Sequence, residues 1–176
     1  MKDLSPVAQK FILHWGEMGA KWGVNRTVAQ VHALLYLSQI PLTADDIVNT
    51  LNVARSNVSS SLKELQSWGL IKVVHTLGDR RDHFESMKDV WEMFRVVMDG
   101  RKRREIDPTL TVLHESVQKF EKSDKSDSYT KKKLTEMLGF FETTSDLYEE
   151  FRRLPTDALI KFAKLGNKIK KFLGYK

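Results

Sequence analysis

The chain has 176 residues, of which 41% are hydrophobic, and its net charge is +6 because Lys and Arg outnumber Asp and Glu by 29 to 23. A basic surplus favours polyanionic partners such as nucleic acid. The sequence contains no cysteine, which excludes disulfides, thiol nucleophiles and cysteine-ligated metals. With no apolar run near the roughly 20 residues of a membrane span, and Asp3 and Pro6 where a signal peptide needs its apolar core, we expect a cytoplasmic protein without a membrane partner.

Two helices are predicted at the start of the chain. Over 4–19, apolar residues recur at steps of three and four, and the glycines that follow predict an end near Gly19. A second helix, about 26–38, has Asn25 in the position of its N-cap. Pro41 ends it.

The next segment predicts a helix-turn-helix. Thr43 with Asp46 three residues later resembles a capping box and begins a helix at about 44–50. A short turn at 52–54 leads into a helix at about 55–68, and Gly69 is placed to end it.

Alternation then replaces the helical period and predicts a two-stranded hairpin, with strands at 71–76 and 82–85 around a basic turn at 77–81. Everything later is predicted to be helical. The predicted helices cover about 87–104, 108–122, 129–152 and 156–173, with a polar loop at 122–128.

The exposed face of the 55–68 helix favours DNA. A recognition helix needs small polar and basic groups that can approach base edges in the major groove. Arginines at a wing tip fit a narrow minor groove, where the negative potential is strongest. The predicted DNA contacts are Arg55, Ser56, Asn57, Ser59, Ser60 and Lys63 on the helix, and Arg80 and Arg81 on the wing. The flanking Asp79 and Asp82 are predicted either to orient these arginines or to pair with them across the turn.

An enzyme is disfavoured. The histidines are scattered, and His75 with His83 across the hairpin make a poor metal site. The sequence has no glycine-rich phosphate loop and no nucleophile motif. We therefore expect no catalytic residues, no metal and no cofactor. A winged helix that binds protein remains a rival, although such modules usually lack basic residues on both the helix and the wing.

The same region resembles regulators of the MarR type, whose wing carries an Asp-x-Arg sequence, here Asp79-Arg80-Arg81. It is more specifically similar to the GbsR branch, over roughly residues 15–108. Ala54 stands where that branch usually has a capping serine, so we expect a weaker helix start. The segments that carry the resemblance are Met18-Gly19, Asn25-Arg26-Thr27, Pro41 to Ile47, Ser56 to Ser59, Leu62 to Leu65, Trp68-Gly69-Leu70, Gly78 to Asp82, Trp91-Glu92 and Arg104 to Pro108.

This resemblance implies a homodimer bound to a pseudo-palindromic operator in double-stranded DNA. It also implies a repressor of genes for the synthesis or uptake of compatible solutes related to glycine betaine, ectoine or choline, responding to a betaine- or choline-type effector or to salt. A MarR-type repressor of unrelated genes with another effector is the alternative. We expect a mostly α-helical fold with a small β-wing. Its parts would be an N-terminal dimerisation helix (1–24), a winged helix-turn-helix domain (25–86) and a helical dimerisation and effector region (87–176).

A quaternary ammonium effector would need aromatic faces, because it has no hydrogen-bond donor and binds through cation–π attraction. Trp22 is the best candidate, since a tryptophan in a glycine-bounded loop is not explained by an amphipathic stripe. Phe11 and Phe94 are more readily explained as core residues. The predicted ligand-binding residues are Trp15, Trp22, Tyr36, Trp91 and Phe94.

Overall fold

The computed structural model describes residues 4–121, 127–161 and residue 165. The chain divides into two units, Met1–Val97 and Met98–Lys176. None of the described helices has the length and apolar character that a membrane span requires. In chain order the elements are α1 (Pro6–Lys21), α2 (Arg26–Leu37), β1 (Leu42–Thr43), α3 (Ala44–Leu51), α4 (Arg55–Ser67), β2 (Ile71–Val74), β3 (His83–Ser86), α5 (Val90–Arg101), a π-turn (Lys102–Ile106), α6 (Asp107–Glu121) and α7 (Ser128–Arg153).

Helix α1 runs past the glycines that were predicted to end it. Ser5 caps it by accepting from the Ala8 amide at 3.2 Å, and it continues to Lys21. Gly16 and Gly19 are buried in this helix. A Cβ on Gly19 would lie 2.5 Å from the Cβ of Ala29 in α2. These glycines therefore permit close packing of α1 on α2 and do not end the helix, which continues two residues beyond Gly19.

The core of the first unit forms around α2, α3 and α4. Asn25 caps α2 by accepting from the Thr27 amide at 2.8 Å, as predicted. Helix α2 is buried along most of its length because it packs against both α1 and α4. The largest fully buried side chains of the unit are Val31, Leu35, Ile47, Val58 and Leu65. This core fixes the direction of α4, whose opposite face stays exposed.

The sheet has three antiparallel strands in the order β1-β3-β2, one more than the predicted hairpin. Phe84 of β3 is paired with Leu42 on one side and Val73 on the other. Strand β1 was missed because it is two residues long and its Thr43 also begins α3. The base of the wing is thus joined to the start of the helix-turn-helix.

The second unit contains a helical connection where a break was predicted. Helix α5 passes through the π-turn into α6, and the Asp107 amide donates to the carbonyl of Lys102, five residues earlier. Pro108 has no amide hydrogen to donate to a carbonyl four residues earlier, so an α-helix cannot continue through it without loss. The wider turn keeps the backbone helical at that point. The two helices predicted at 87–104 and 108–122 are therefore present as α5 and α6, and only the expected break between them was wrong.

Later predictions are met in part. Asp127 caps α7 through the amides of Tyr129 and Thr130, and Leu113 of α6 and Leu138 of α7 are buried. The predicted loop at 122–128 lies mostly outside the described residues. Residues 156–161 are helical, and the rest of the predicted helix to 173, apart from residue 165, is also outside them.

Candidate nucleic-acid interface

Helix α4 presents a continuous polar face. Its buried residues, Val58, Ser61, Leu62 and Leu65, follow helical spacing and pack into the first unit. The other side is therefore left to solvent. All six residues predicted to contact DNA on this helix are exposed, namely Arg55, Ser56, Asn57, Ser59, Ser60 and Lys63.

An ion pair, and not a side-chain capping bond, stabilises the start of α4. Ala54 makes no side-chain capping bond, as its small apolar side chain predicts. Arg55, the first residue of the helix, pairs with Asp45 in the first turn of α3. This ion pair connects the two helices of the helix-turn-helix. Asp45 was not recognised from the sequence, because its pairing with Arg55 in the next helix depends on side-chain geometry.

The two wing arginines differ in their surroundings. Arg81 donates through Nε to Asp79 at 3.0 Å and through Nη2 at 2.5 Å. These bonds hold the pKa of the Asp79 carboxyl well below its usual range. Arg80 is exposed, and within the described part of the chain it has no ion-pair partner. Asp79 thus pairs with Arg81, which is one of the two predicted arrangements. Arg80 stays exposed and accessible to a ligand.

The wing base carries a second polar group. The Thr43 hydroxyl and amide donate to Asp46 at 2.6 and 2.9 Å, and the Asp46 amide donates back to the hydroxyl at 3.2 Å. This is the predicted capping box, and the Thr43 hydroxyl is the main cause of the lowered pKa of Asp46. Thr43 is also paired with His83 of β3. His83 in turn lies 3.6 Å from Asp79 and contacts the Arg81 carbonyl at 3.0 Å. A polar chain therefore runs from α3 to the wing tip.

A cleft of about 380 Å³ separates α4 from the wing. Its apolar lining includes Leu62, Val73 and Phe84, and its cationic lining is Arg55, Lys63 and Arg81. Acids line it as well, at Asp45 and Asp82. The helix and the wing are therefore two separate projections with cations between them, an arrangement suited to straddling a phosphate backbone.

The five predicted ligand aromatics all lie in the first unit. Trp15 stacks on Phe11 at 5.5 Å, and Trp22 approaches Trp15 edge-on at 5.7 Å. Trp22 is 52% exposed, as a loop tryptophan outside the core should be. Phe11 packs against the core as predicted.

Trp91 and Phe94 form another edge-on pair at 6.5 Å. Phe94 is 52% exposed, and Val90 and Val97 on the same helix are also exposed. The prediction that Phe94 is a core residue was wrong for the chain alone, because the apolar stripe of α5 is uncovered there.

Tyr36 already has a cation over its ring, since Lys88 Nζ lies 5.9 Å from the ring centroid. Lys88 was not recognised from the sequence. It lies in a short segment between a strand and a helix, and nothing in its local pattern distinguishes it from a solvated lysine.

The sequence has a run of basic residues at 101–104, which by itself could contact either DNA or solvent. Lys102 lies 2.8 Å from Asp107 and 3.6 Å from Glu149, and Arg101 lies 3.7 Å from Glu105. These two cations have acidic partners in their own unit. Of the residues that the structure describes, no group of three His, Asp or Glu side chains has the geometry to hold a metal ion.

A capped helix-turn-helix with a polar recognition face, followed by an arginine-tipped wing, defines a winged-helix DNA-binding protein. The sequence comparisons refine this class. The model of the MarR family matches residues 22–82, so this segment is a winged-helix domain of the MarR type.

Two relatives extend the comparison beyond the wing. The chain is 22% identical over 154 residues to the HTH-type transcriptional repressor GbsR of Bacillus subtilis (strain 168), covering 84% of this chain and 85% of that protein. A crystal structure of a transcriptional regulator matches with a TM-score of 0.64 at 16% identity, covering 90% of this chain and 99% of the other. The second match supports the same fold.

Proposed function

We propose that this protein binds operator DNA as a homodimer and represses genes for the synthesis or uptake of compatible solutes. One observation carries the DNA-binding part, namely the exposed Ser, Asn and Lys face of α4 followed by a wing whose Arg80 is exposed and has no ion-pair partner among the described residues. Helix α4 would enter the major groove, and Arg80 would reach the adjacent minor groove. A polymerase excluded from the occupied promoter would account for repression.

Exposed apolar side chains support the homodimer. On α7, Met137, Phe140 and Leu147 share one helical face, and Phe140 is 65% exposed. On α1, Val7 and Leu13 are exposed as well. A second copy of the chain would cover such faces. Sedimentation of the full chain should show a dimer, and Phe140→Glu should shift it toward monomer. A monomer at every concentration would contradict the proposal.

The gene class rests on similarity to the B. subtilis repressor over most of both chains, together with the branch resemblance of the sequence. Mapping of bound DNA in the native host tests it directly. Binding upstream of transporters or synthases of betaine-type or ectoine-type solutes is the expected result. Binding upstream of unrelated genes would favour a general MarR-type repressor.

The effector is proposed to be a quaternary ammonium compound such as glycine betaine or choline. Trp22 contacts Trp15 edge-on and is 52% exposed, so its indole could form one wall of an aromatic cage. Calorimetry with choline, glycine betaine and ectoine should show binding that Trp22→Ala abolishes. If none binds and none changes DNA affinity, direct response to salt is the better explanation, because phosphate contacts weaken steeply as salt rises.

DNA binding is tested by selecting duplexes from a random library with the full protein. Arg80→Ala should lower affinity for the selected duplex by roughly tenfold to a hundredfold. Lys161→Ala, an equal loss of charge at a side chain that is 76% exposed, should change it little. If no sequence is enriched, the operator function fails, and a protein-binding winged helix becomes the better proposal.

A further inference from the structure

Lys88 joins two parts of the first unit that are far apart in sequence. Its ammonium donates to the carbonyls of Leu35, Tyr36 and Ser38 at 2.8, 2.9 and 2.7 Å. All three carbonyls belong to the end of α2. The ammonium has three protons to donate, and each finds an acceptor.

The last turn of a helix needs such a partner. Its final carbonyls lack helical donors, and the negative end of the helix dipole lies there. Within the described helix Arg26–Leu37 the last turn carries no basic side chain, so Lys88 supplies the cation from outside. Burial lowers the pKa of Lys88, while Glu85 opposes that effect.

Met87 and Asp89, the neighbours of Lys88 in sequence, also form hydrogen bonds with other elements. The Met87 amide donates to the carbonyl of Leu70 at 3.0 Å, directly before β2. The Asp89 carboxylate accepts from the amides of Trp91 and Glu92 at 2.8 and 2.9 Å and so caps α5. The segment Met87–Asp89 therefore connects the wing, α2 and α5 through a continuous set of hydrogen bonds. Among the hydrogen bonds described for this segment, only those of Lys88 reach α2.

We propose that Lys88 is a positioning residue for operator binding, which holds the wing exit and the start of α5 against α2 so that the wing and α4 keep the spacing DNA requires. The inference rests on the proposed DNA-binding function. Lys88 acts through the backbone that it binds, and it makes no DNA contact itself. A change in the direction of α5 would reach the wing through this residue.

The test uses the full chain and two duplexes, one selected by the wild-type protein from a random library and one scrambled. Lys88→Met keeps the length of the side chain and removes its donors. Lys88→Arg restores charged donors, and Lys161→Met, at a side chain that is 76% exposed, is the charge-matched control. Affinity is measured over a series of salt concentrations, and circular dichroism checks that each variant is folded.

Lys88→Met should lower affinity for the selected duplex by roughly tenfold, because the three charge-assisted hydrogen bonds to the end of α2 are lost and part of that loss is expressed as altered spacing of the wing and α4. Affinity for the scrambled duplex and the salt slope should stay unchanged, and Lys88→Arg should recover most of the loss. A salt slope reduced by about one, with both duplexes weakened equally, would show that Lys88 binds a phosphate and would overturn the inference.

Unchanged affinity of Lys88→Met for the selected duplex would also overturn it. If Lys88→Met does not fold, Lys88→Gln, which loses the charge and one of the three donors, is measured in the same way, and wild-type affinity in that variant would count against the inference. Failure of the wild-type protein to enrich any duplex is a different result, because it contradicts the proposed function itself.

Discussion

Arg81 and Asp79 form a two-armed ion pair at the tip of the wing, with Nε 3.0 Å and Nη2 2.5 Å from the carboxylate. The Arg81 amide donates to the same carboxylate at 3.0 Å. The pair therefore fixes both the side chain and the local backbone. Arg80, one residue away, projects from a turn whose shape this pair helps to set.

Asp79→Asn should weaken operator binding by several-fold, although it makes the protein more basic. The amide cannot hold the guanidinium of Arg81 as the carboxylate does, so the turn that presents Arg80 loses its shape. Affinity for a selected duplex is measured for this variant and for the control Asp82→Asn, which makes the same charge change at an exposed residue of the same turn. If both variants bind more tightly, net charge outweighs wing geometry and the prediction fails.

Gly19→Ala should destabilise the protein by about 1–3 kcal/mol, because the new methyl group would lie 2.5 Å from the Cβ of Ala29. Gly139→Ala in α7 is the matched control. A Cβ there meets no heavy atom of the described chain within 4 Å, so helix propensity should stabilise by about 0.5–1 kcal/mol. Urea unfolding followed by circular dichroism measures both changes. Equal effects of the two substitutions would contradict the close packing of α1 on α2.

Thr43→Ala should cost about 1–2 kcal/mol of unfolding free energy, because it removes one half of the capping box with Asp46. Thr43 is 3% exposed, so water does not replace the lost donor easily. Thr76→Ala, on an exposed turn of the wing, provides the control. A loss no larger than that of Thr76→Ala, in the same denaturant titration, would show that the capping box contributes little.

Stability should fall as the pH drops from about 6.5 toward 4. Burial, with the charge of Lys88 as a smaller cause, lowers the pKa of His32 from 6.5 to about 4. The unfolded chain therefore binds a proton throughout this range while the folded protein resists it, so stability is full above pH 6.5 and is lost progressively below. The loss approaches about 3 kcal/mol near pH 4.

His32→Leu should remove that part of the pH dependence, measured as the unfolding free energy at a series of pH values. Asp46, whose pKa is lowered by Thr43, loses its contribution at lower pH, below the usual titration range of a carboxyl group. The two effects therefore fall in different windows. A His32→Leu curve as steep as that of the wild type between pH 6.5 and 4 would refute the assignment.

Local patterns predicted the helices well where caps and apolar periods agree. Asn25, Thr43 and Gly69 each mark a helix boundary through a short-range physical effect, and each lies where it was predicted. Gly19 shows the limit of such reasoning. A glycine has the same propensity whether it ends a helix or admits a neighbouring one, and only the position of Ala29 separates the two cases.

The sequence predicted which surface of the site is exposed, but it did not predict which side chains pair with one another. The exposed face of α4 follows from its apolar period. The pairing of Arg55 with Asp45, and of Arg81 but not Arg80 with Asp79, depends on side-chain geometry. Lys88 was missed because its acceptors lie 50 to 53 residues earlier, and no local pattern records so distant a contact.

Strand β3 lies between β1 and β2, and this position has a consequence for hydrogen exchange. Peptide groups near His83 and Phe84 are paired with strands on both sides, whereas residues 75–82 form the turn beyond the ladder. Deuterium should therefore enter the wing at its tip long before it reaches the central strand. Added DNA should slow hydrogen exchange at the tip and leave exchange in the central strand unchanged. The central strand therefore serves as an internal reference when exchange at the tip is used to measure how much protein is bound to DNA.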